Sequence, residues 1–143
     1  MKLFFTSLLM LTLMAVSCKK DKFVPSADPL TGTWELTFSA SIMGPASNHA
    51  PGNGNLLKFS AGNHFKRNYG TGTIGDSGIF HLSSDYPRYD KKNRVNLIRF
   101  GDAQSMSIFS IVQDTLFMSS YPYDINGNEL MDGGEARYVR IKD

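Results

Sequence analysis

Leu30-Thr31-Gly32-Thr33-Trp34-Glu35-Leu36-Thr37-Phe38-Ser39 decides the fold class. From Trp34 onward apolar and polar side chains alternate strictly. Trp34, Leu36 and Phe38 fall on one face; Glu35, Thr37 and Ser39 fall on the other. Period two headed by a large aromatic residue predicts a half-buried strand opening a sheet. Gly32, two residues before the only tryptophan, allows another segment to approach the indole closely.

Seven further strands are predicted downstream: Leu56–Phe59, His64–Tyr69, Gly78–Ser83, Arg94–Phe100, Met106–Val112, Thr115–Ser120 and Ala136–Lys142. Ser60-Ala61-Gly62-Asn63 and Gln113-Asp114 read as tight hairpin turns. Ser41 to Asn55, with Gly44, Pro45, Pro51, Gly52 and Gly54, reads as a long flexible loop, and Gly70 to Ser77 as a loop or a frayed strand extension. Thirteen glycines, ten phenylalanines and six tyrosines in a chain without a long helical stretch point to an all-β protein. Eight strands with mostly short connections predict an eight-stranded antiparallel up-and-down β-barrel, closed by pairing the last strand with the first.

Upstream, Met1 to Ser17 carries one charge, Lys2, and an apolar run from Leu3 to Val16, about the length of a signal-peptide core and too short to span a bilayer. Leu13-Met14-Ala15-Val16-Ser17-Cys18 resembles a bacterial lipobox, which implies that the Cys18 thiol receives lipid and that Cys18 becomes the new N-terminus. The alternative is a secreted protein with a free thiol. A single cysteine cannot form an internal disulfide, which favours lipidation. The chain therefore divides into a signal peptide (1–17), a lipidated polar tether (18–29) and a barrel (30–143), with extracytoplasmic, lipid-anchored localisation, at the outer membrane of a bacterium, as the expectation. Acyl chains hold a protein on a membrane at about 0.8 kcal/mol per buried methylene.

The whole chain carries a formal charge of +2, and removing residues 1–17 takes away one lysine. Such a balance gives no reason to expect a nucleic-acid partner. No nucleophile elbow, His-Glu-x-x-His or phosphate-binding glycine loop is present, so no enzymatic role is expected. His64 and His81, on neighbouring predicted strands, lack a third ligand at metal-site spacing.

Gly32-Thr33-Trp34, the Phe59-Ser60-Ala61-Gly62-Asn63 hairpin, Gly78-Ile79-Phe80, Ile108 to Leu116 and the terminal Arg137-Tyr138-Val139-Arg140-Ile141 together resemble a small bacterial lipocalin-like lipoprotein over residues 30 to 143. The resemblance implies a binding module for a small apolar or amphipathic molecule held in a calyx. It also implies an arginine from near the chain end packed on the tryptophan at a closed floor. Arg140 lies nearest Trp34 in antiparallel pairing, so Gly32, Trp34 and Arg140 are the floor candidates, although alternation with Val139 and Ile141 as inward residues would turn Arg140 outward.

In an up-and-down barrel the loops after the first, third, fifth and seventh strands share one end, and they include the longest and most glycine-rich ones. That end is the expected mouth. Inward residues are expected to be Leu36, Phe38, Phe59, Phe65, Tyr69, Phe80, Leu82, Ile98, Phe100, Met106, Ile108, Leu116, Met118, Val139 and Ile141. Phe38, Phe65, Arg67, Tyr69, Phe80, Met106 and Met118 are the ligand-binding candidates, with Arg67 able to meet a ligand carboxylate. An eight-stranded barrel either fills with side chains or holds one small ligand, so a filled structural or protein-interaction barrel of the envelope is the competing reading. At the floor, Arg88, Lys91, Lys92 and Arg94 near Lys19, Lys20 and Lys22 suggest contact with anionic headgroups or merely a solvated turn. At the mouth, Asp124, Asn126, Asn128, Asp132 and Glu135 repeat the oxygen spacing of a calcium loop, but Glu129 replaces its glycine. The choice there is between a weak calcium site and a solvated acidic loop; no other cofactor is expected. Cys18→Ser is expected to abolish incorporation of labelled palmitate and to move the protein from the membrane fraction to the soluble one.

Overall fold

The computed structural model describes residues 23–70, 73–87, 90–131 and 133–141, with Ile74 described by its backbone alone. Nine strands follow a short 3-10 turn at Asp28–Leu30: β1 (Gly32–Ser41), β2 (Gly44–Asn48), β3 (Leu56–Ser60), β4 (His64–Tyr69), β5 (Thr73–Asp85), β6 (Val95–Phe100), β7 (Ser105–Val112), β8 (Thr115–Asp124) and β9 (Gly134–Ile141). Eight of them, β1 and β3 through β9, pair antiparallel in chain order, and β1 pairs with β9 to close the barrel. Closure leaves neither of these strands with a long free edge. Among the described residues every strand lies within residues 32–141, and the barrel closes within that span.

Two departures from the expected strand map shape the mouth. Ser41 to Asn55 is not a flexible loop. Its first part turns at Ile42-Met43 and returns as the exposed strand β2, which pairs with the far half of β1 while β3 pairs with the near half. Asn53 then donates its side-chain amide to the carbonyls of Leu36 and Ala50, and the Leu36 amide donates to Asn55, tying the segment down. The second departure is β5, which begins at Thr73 and runs thirteen residues, its first half against β4 and its second half against β6.

The floor is built around Trp34, which is fully buried. Its indole N–H donates to the Leu30 carbonyl at 2.7 Å. Arg140 sits directly opposite in register, with its guanidinium carbon 4.2 Å from the ring centroid. The same guanidinium donates to the carbonyls of Thr31 and Pro29, each at 2.6 Å. Arg140 therefore points inward, and Val139 and Ile141, expected inside, are exposed together with Arg137 on the other face of β9. Its hydrogen-bonding demand is met by carbonyls of the incoming chain, so polarity gives no reason to turn it out. Gly32 makes this possible: φ is +131°, and a Cβ there would lie 2.9 Å from Nη1 of Arg140.

The chain before β1 is also part of the floor. Leu30 and Pro25 are buried, and the Ser84 hydroxyl donates to the Phe23 carbonyl at 2.6 Å. Residues 23–29, expected to hang free as tether, thus pack against the barrel.

Above the floor, aromatic side chains fill the interior. Phe59 meets Phe80 edge to face at 5.1 Å, Phe65 meets Phe100 at 4.8 Å, and Phe59 stacks on Phe100 at 6.2 Å. Leu57, Ile98, Phe109 and Leu116 complete this core. Each aromatic pair adds about 0.5–1.5 kcal/mol beyond its buried area. Gly32→Ala is expected to displace Arg140 from Trp34 and to lower stability by about 1–3 kcal/mol. Urea unfolding followed by the fluorescence of Trp34 measures it.

Candidate functional site

The core stops short of the mouth. A cavity of about 270 Å³ opens there, and Arg67, Phe100, Ser107, Met118, Ser120 and Tyr138 are among the residues around it. Ligand pockets for drug-sized molecules run from about 300 Å³ upward, so this bowl suits something smaller. The barrel is therefore packed below and open above.

Arg67 reaches this bowl because it alternates with Phe65 on β4 and stands opposite the inward Leu57. Its guanidinium carbon lies 3.9 Å from the Phe100 centroid and 5.3 Å from that of Phe65. The aromatic cluster is thus a platform for the cation. Nη1 meets the Asp76 carboxylate at 3.4 Å, a long contact with a half-exposed partner. Such a pair is worth little, since solvent screens it.

Tyr138 faces Arg67 across the barrel from β9. Burial pushes its hydroxyl above the ordinary tyrosine range, while Arg67 pulls the other way. Among the described residues its hydroxyl makes no hydrogen bond. Expectation missed Tyr138 because Val139 was assigned inward. The signal was available, since placing Arg140 on Trp34 puts Tyr138, two residues before it, on the same face.

Of the other ligand-binding candidates, Met118 lines the bowl, whereas Phe65 and Phe80 lie in the packed core beneath it. Phe38 is a correction. β1 carries an extra residue between Leu36 and Phe38 relative to β9, and this bulge turns Phe38 to the outer face. There Arg137 lies 4.6 Å over the Phe38 ring and 5.8 Å from Phe117, held by Glu135 at 2.7 Å. Met106 is another. Ser107, Phe109 and Ile111 face inward on β7, so Met106 and Ile108 share the outer face, where Ile108 pairs in register with the buried Leu97. Apolar residues occupy both faces of β7, and alternation alone could not choose between them. Tyr69 sits at the rim, 52% exposed, with its ring against Gly75.

Gly75 marks a second bulge, where β5 slips by one residue against β4. A Cβ at Gly75 would come within 2.7 Å of the Arg67 carbonyl and 2.8 Å of the Tyr69 ring. Only glycine lets β5 pass this close beneath the mouth.

Asp124, Asn126 and Asn128 come together in one turn, whereas Glu135 engages Arg137 on β9, and Asp132 lies outside the described residues. Asp124 caps that turn. It accepts the backbone N–H groups of Asn126 and Asn128 and the Asn128 side-chain amide, each at 2.8 Å. These bonds, led by the Asn128 amide, hold its carboxyl below the usual carboxylate range. Among the described residues no three His, Cys, Asp or Glu side chains gather as metal ligands.

Of the basic residues expected at the floor, Arg94 lies between Tyr86 and Phe23, 5.0 and 5.7 Å from their rings. Lys91 and Lys92 are exposed beside Asp90, whose carboxylate accepts from Asn93 and from the Lys92 and Asn93 backbone. Asp85 accepts the Tyr121 hydroxyl at 2.8 Å; burial, with Asp85 second, raises that hydroxyl to about 12. These acids dilute the expected basic patch. Arg88, Lys19, Lys20, Lys22 and Cys18 lie outside the described residues. No described helix is long and apolar enough to cross a membrane.

Comparison of the chain with protein-family models, with curated proteins and with solved structures finds no match. Gly75→Ala is expected to lower stability by about 1–3 kcal/mol and to shift backbone amide resonances from Arg67 to Tyr69. Urea unfolding and ¹H–¹⁵N spectra report both.

Proposed function

We propose that this chain is a lipid-anchored, extracytoplasmic binding protein of lipocalin-like type, which takes up a small amphipathic molecule at the mouth of its barrel. The bowl carries this reading: about 270 Å³ of space with apolar walls from Phe100 and Met118 and polar groups from Arg67, Ser107 and Tyr138. Burial of the ligand's apolar body would supply affinity at about 25 cal/mol per Å², and the polar groups would orient it. Support for the type comes from the Gly32–Trp34–Arg140 floor and the eight-strand order; support for the anchor comes from the sequence around Cys18. Because residues 23–29 pack on the floor, only Cys18 to Lys22 would separate lipid from barrel. Five residues reach at most about 18 Å, so the floor would lie close to the membrane and the mouth would face away from it.

A second reading, an envelope protein that binds another protein through its rim, draws on exposed apolar side chains there. Ile42 and Met43 at the β1–β2 turn are 71% and 88% exposed, and Met131 is 86% exposed. The Ile42 amide donates to Gly133, which holds this turn against the segment that contains Met131.

Native mass spectrometry of residues 18–143 carrying Cys18→Ser, purified without chelator, separates the two. A reproducible extra mass of a small organic molecule, lost on denaturation, is the expected result. An excess of one calcium ion would instead point to the Asp124 loop. Equal native and denatured masses, unchanged after incubation with periplasmic extract, would favour the rim.

A further inference from the structure

The bowl is not electrically neutral at its base, and this narrows what it can hold. We infer that its ligand is a small organic monocarboxylate, seated with its carboxylate on Arg67 and Tyr138 and its short apolar body toward Met118. This rests on the bowl being a binding site, and adds the ligand's charge and size.

Three observations converge on it. First, the guanidinium of Arg67 lies over the face of Phe100 at 3.9 Å, so the aromatic platform fixes its plane and leaves its N–H edge to other partners. That edge matches the two oxygens of a carboxylate. Second, the protein satisfies this cation poorly. Asp76, on the neighbouring strand, reaches Nη1 only at 3.4 Å and is half exposed, so a ligand carboxylate competes with a weak occupant. Glu135, also beside the bowl, is held by Arg137 at 2.7 Å. Third, Tyr138, half-buried on β9, brings to the same cavity a hydroxyl that makes no hydrogen bond among the described residues. A ligand oxygen would take the place of water as the partner of that hydroxyl.

Size and charge exclude the alternatives. At about 30 Å³ per water, a cavity of 270 Å³ holds about nine waters or an organic molecule of roughly a dozen heavy atoms. Phe59, Phe65, Phe80 and Phe100 pack together below the bowl, so most of a long acyl chain would project from the mouth. One cation flanked by the carboxylates of Asp76 and Glu135 favours a single negative charge over a phosphate dianion.

Isothermal titration calorimetry on residues 18–143 carrying Cys18→Ser tests this with 3-phenylpropionate, 3-phenylpropanol, palmitate and inorganic phosphate. The propionate is expected to bind at least about tenfold more tightly than the alcohol, the fold-change for one charge-assisted hydrogen bond. Palmitate and phosphate are expected to bind more weakly still. Arg67→Gln should erase the acid–alcohol difference. Tyr138→Phe should weaken the acid several-fold while leaving the urea midpoint unchanged, since its hydroxyl holds no protein group. Asp76→Asn should tighten the acid by freeing the Arg67 edge, a gain that a purely structural Arg67–Asp76 pair would not produce. Equal binding of acid and alcohol would overturn the carboxylate assignment and leave the bowl as a site. A preference that survives Arg67→Gln would overturn the role of Arg67. If neither compound binds and no cavity resonance moves, both the ligand class and the binding function fall.

Discussion

Arg140 lying on Trp34 is the interaction on which the barrel depends, because it joins the last strand to the first strand and to the turn before it, more than a hundred residues away. β1 supplies the indole, β9 supplies the guanidinium, and the turn before β1 supplies the carbonyls of Pro29 and Thr31 that accept its hydrogen bonds. A cation over tryptophan contributes about 0.5–2 kcal/mol, and charge-assisted bonds to the Pro29 and Thr31 carbonyls add to it. Together they anchor the β1–β9 seam, where closure must occur at the greatest sequence separation. The residue that makes this geometry possible has no side chain: at Gly32, any Cβ would crowd the guanidinium.

Above that floor, the interior is divided by the volumes of its side chains. Phe59, Phe65, Phe80 and Phe100 pack against one another, two pairs edge to face and one stacked, beneath the bowl. At the mouth the inward positions become small or polar, with Ser107 on β7 and Ser120 on β8, and the space opens. Arg67 stands at the boundary, its guanidinium on the aromatic platform and its edge in the bowl. Two bulges set this boundary. The one in β1 removes Phe38 from the interior, and the one at Gly75 lets β5 run close under Arg67 and Tyr69.

Much of the barrel was legible because its strands obey period two between recognisable turns. The Gly62 and Gln113 turns were readable as hairpins, and the structure places positive φ at Gly62, Asn63 and Gln113. Arg67 was legible as a candidate because it alternates with Phe65. Tyr138 was not, since Arg137-Tyr138-Val139-Arg140 offers an apolar residue and a cation on each face. Hydropathy would place Val139 inward; the pairing of Arg140 with Trp34 reverses that order. Met106 and Ile108 misled for a related reason, as the outer face near Leu97 is itself buried.

The amino-acid sequence by itself determined the all-β class, the order of the eight barrel strands, the turns between most of them and the tryptophan that marks the floor. These follow from local periodicity and turn chemistry, which neighbours in sequence decide among themselves. Only the tertiary structure decided which face of β7 and β9 turns inward, where β1 bulges, and how far the aromatic core rises before the bowl begins. Those outcomes depend on partners far away in the chain: Arg140 needs Trp34 and the Thr31 carbonyl, and Arg67 needs Phe100 as a platform. A one-residue slip in a strand exchanges its two faces, so parity belongs to the assembled sheet rather than to any strand within it.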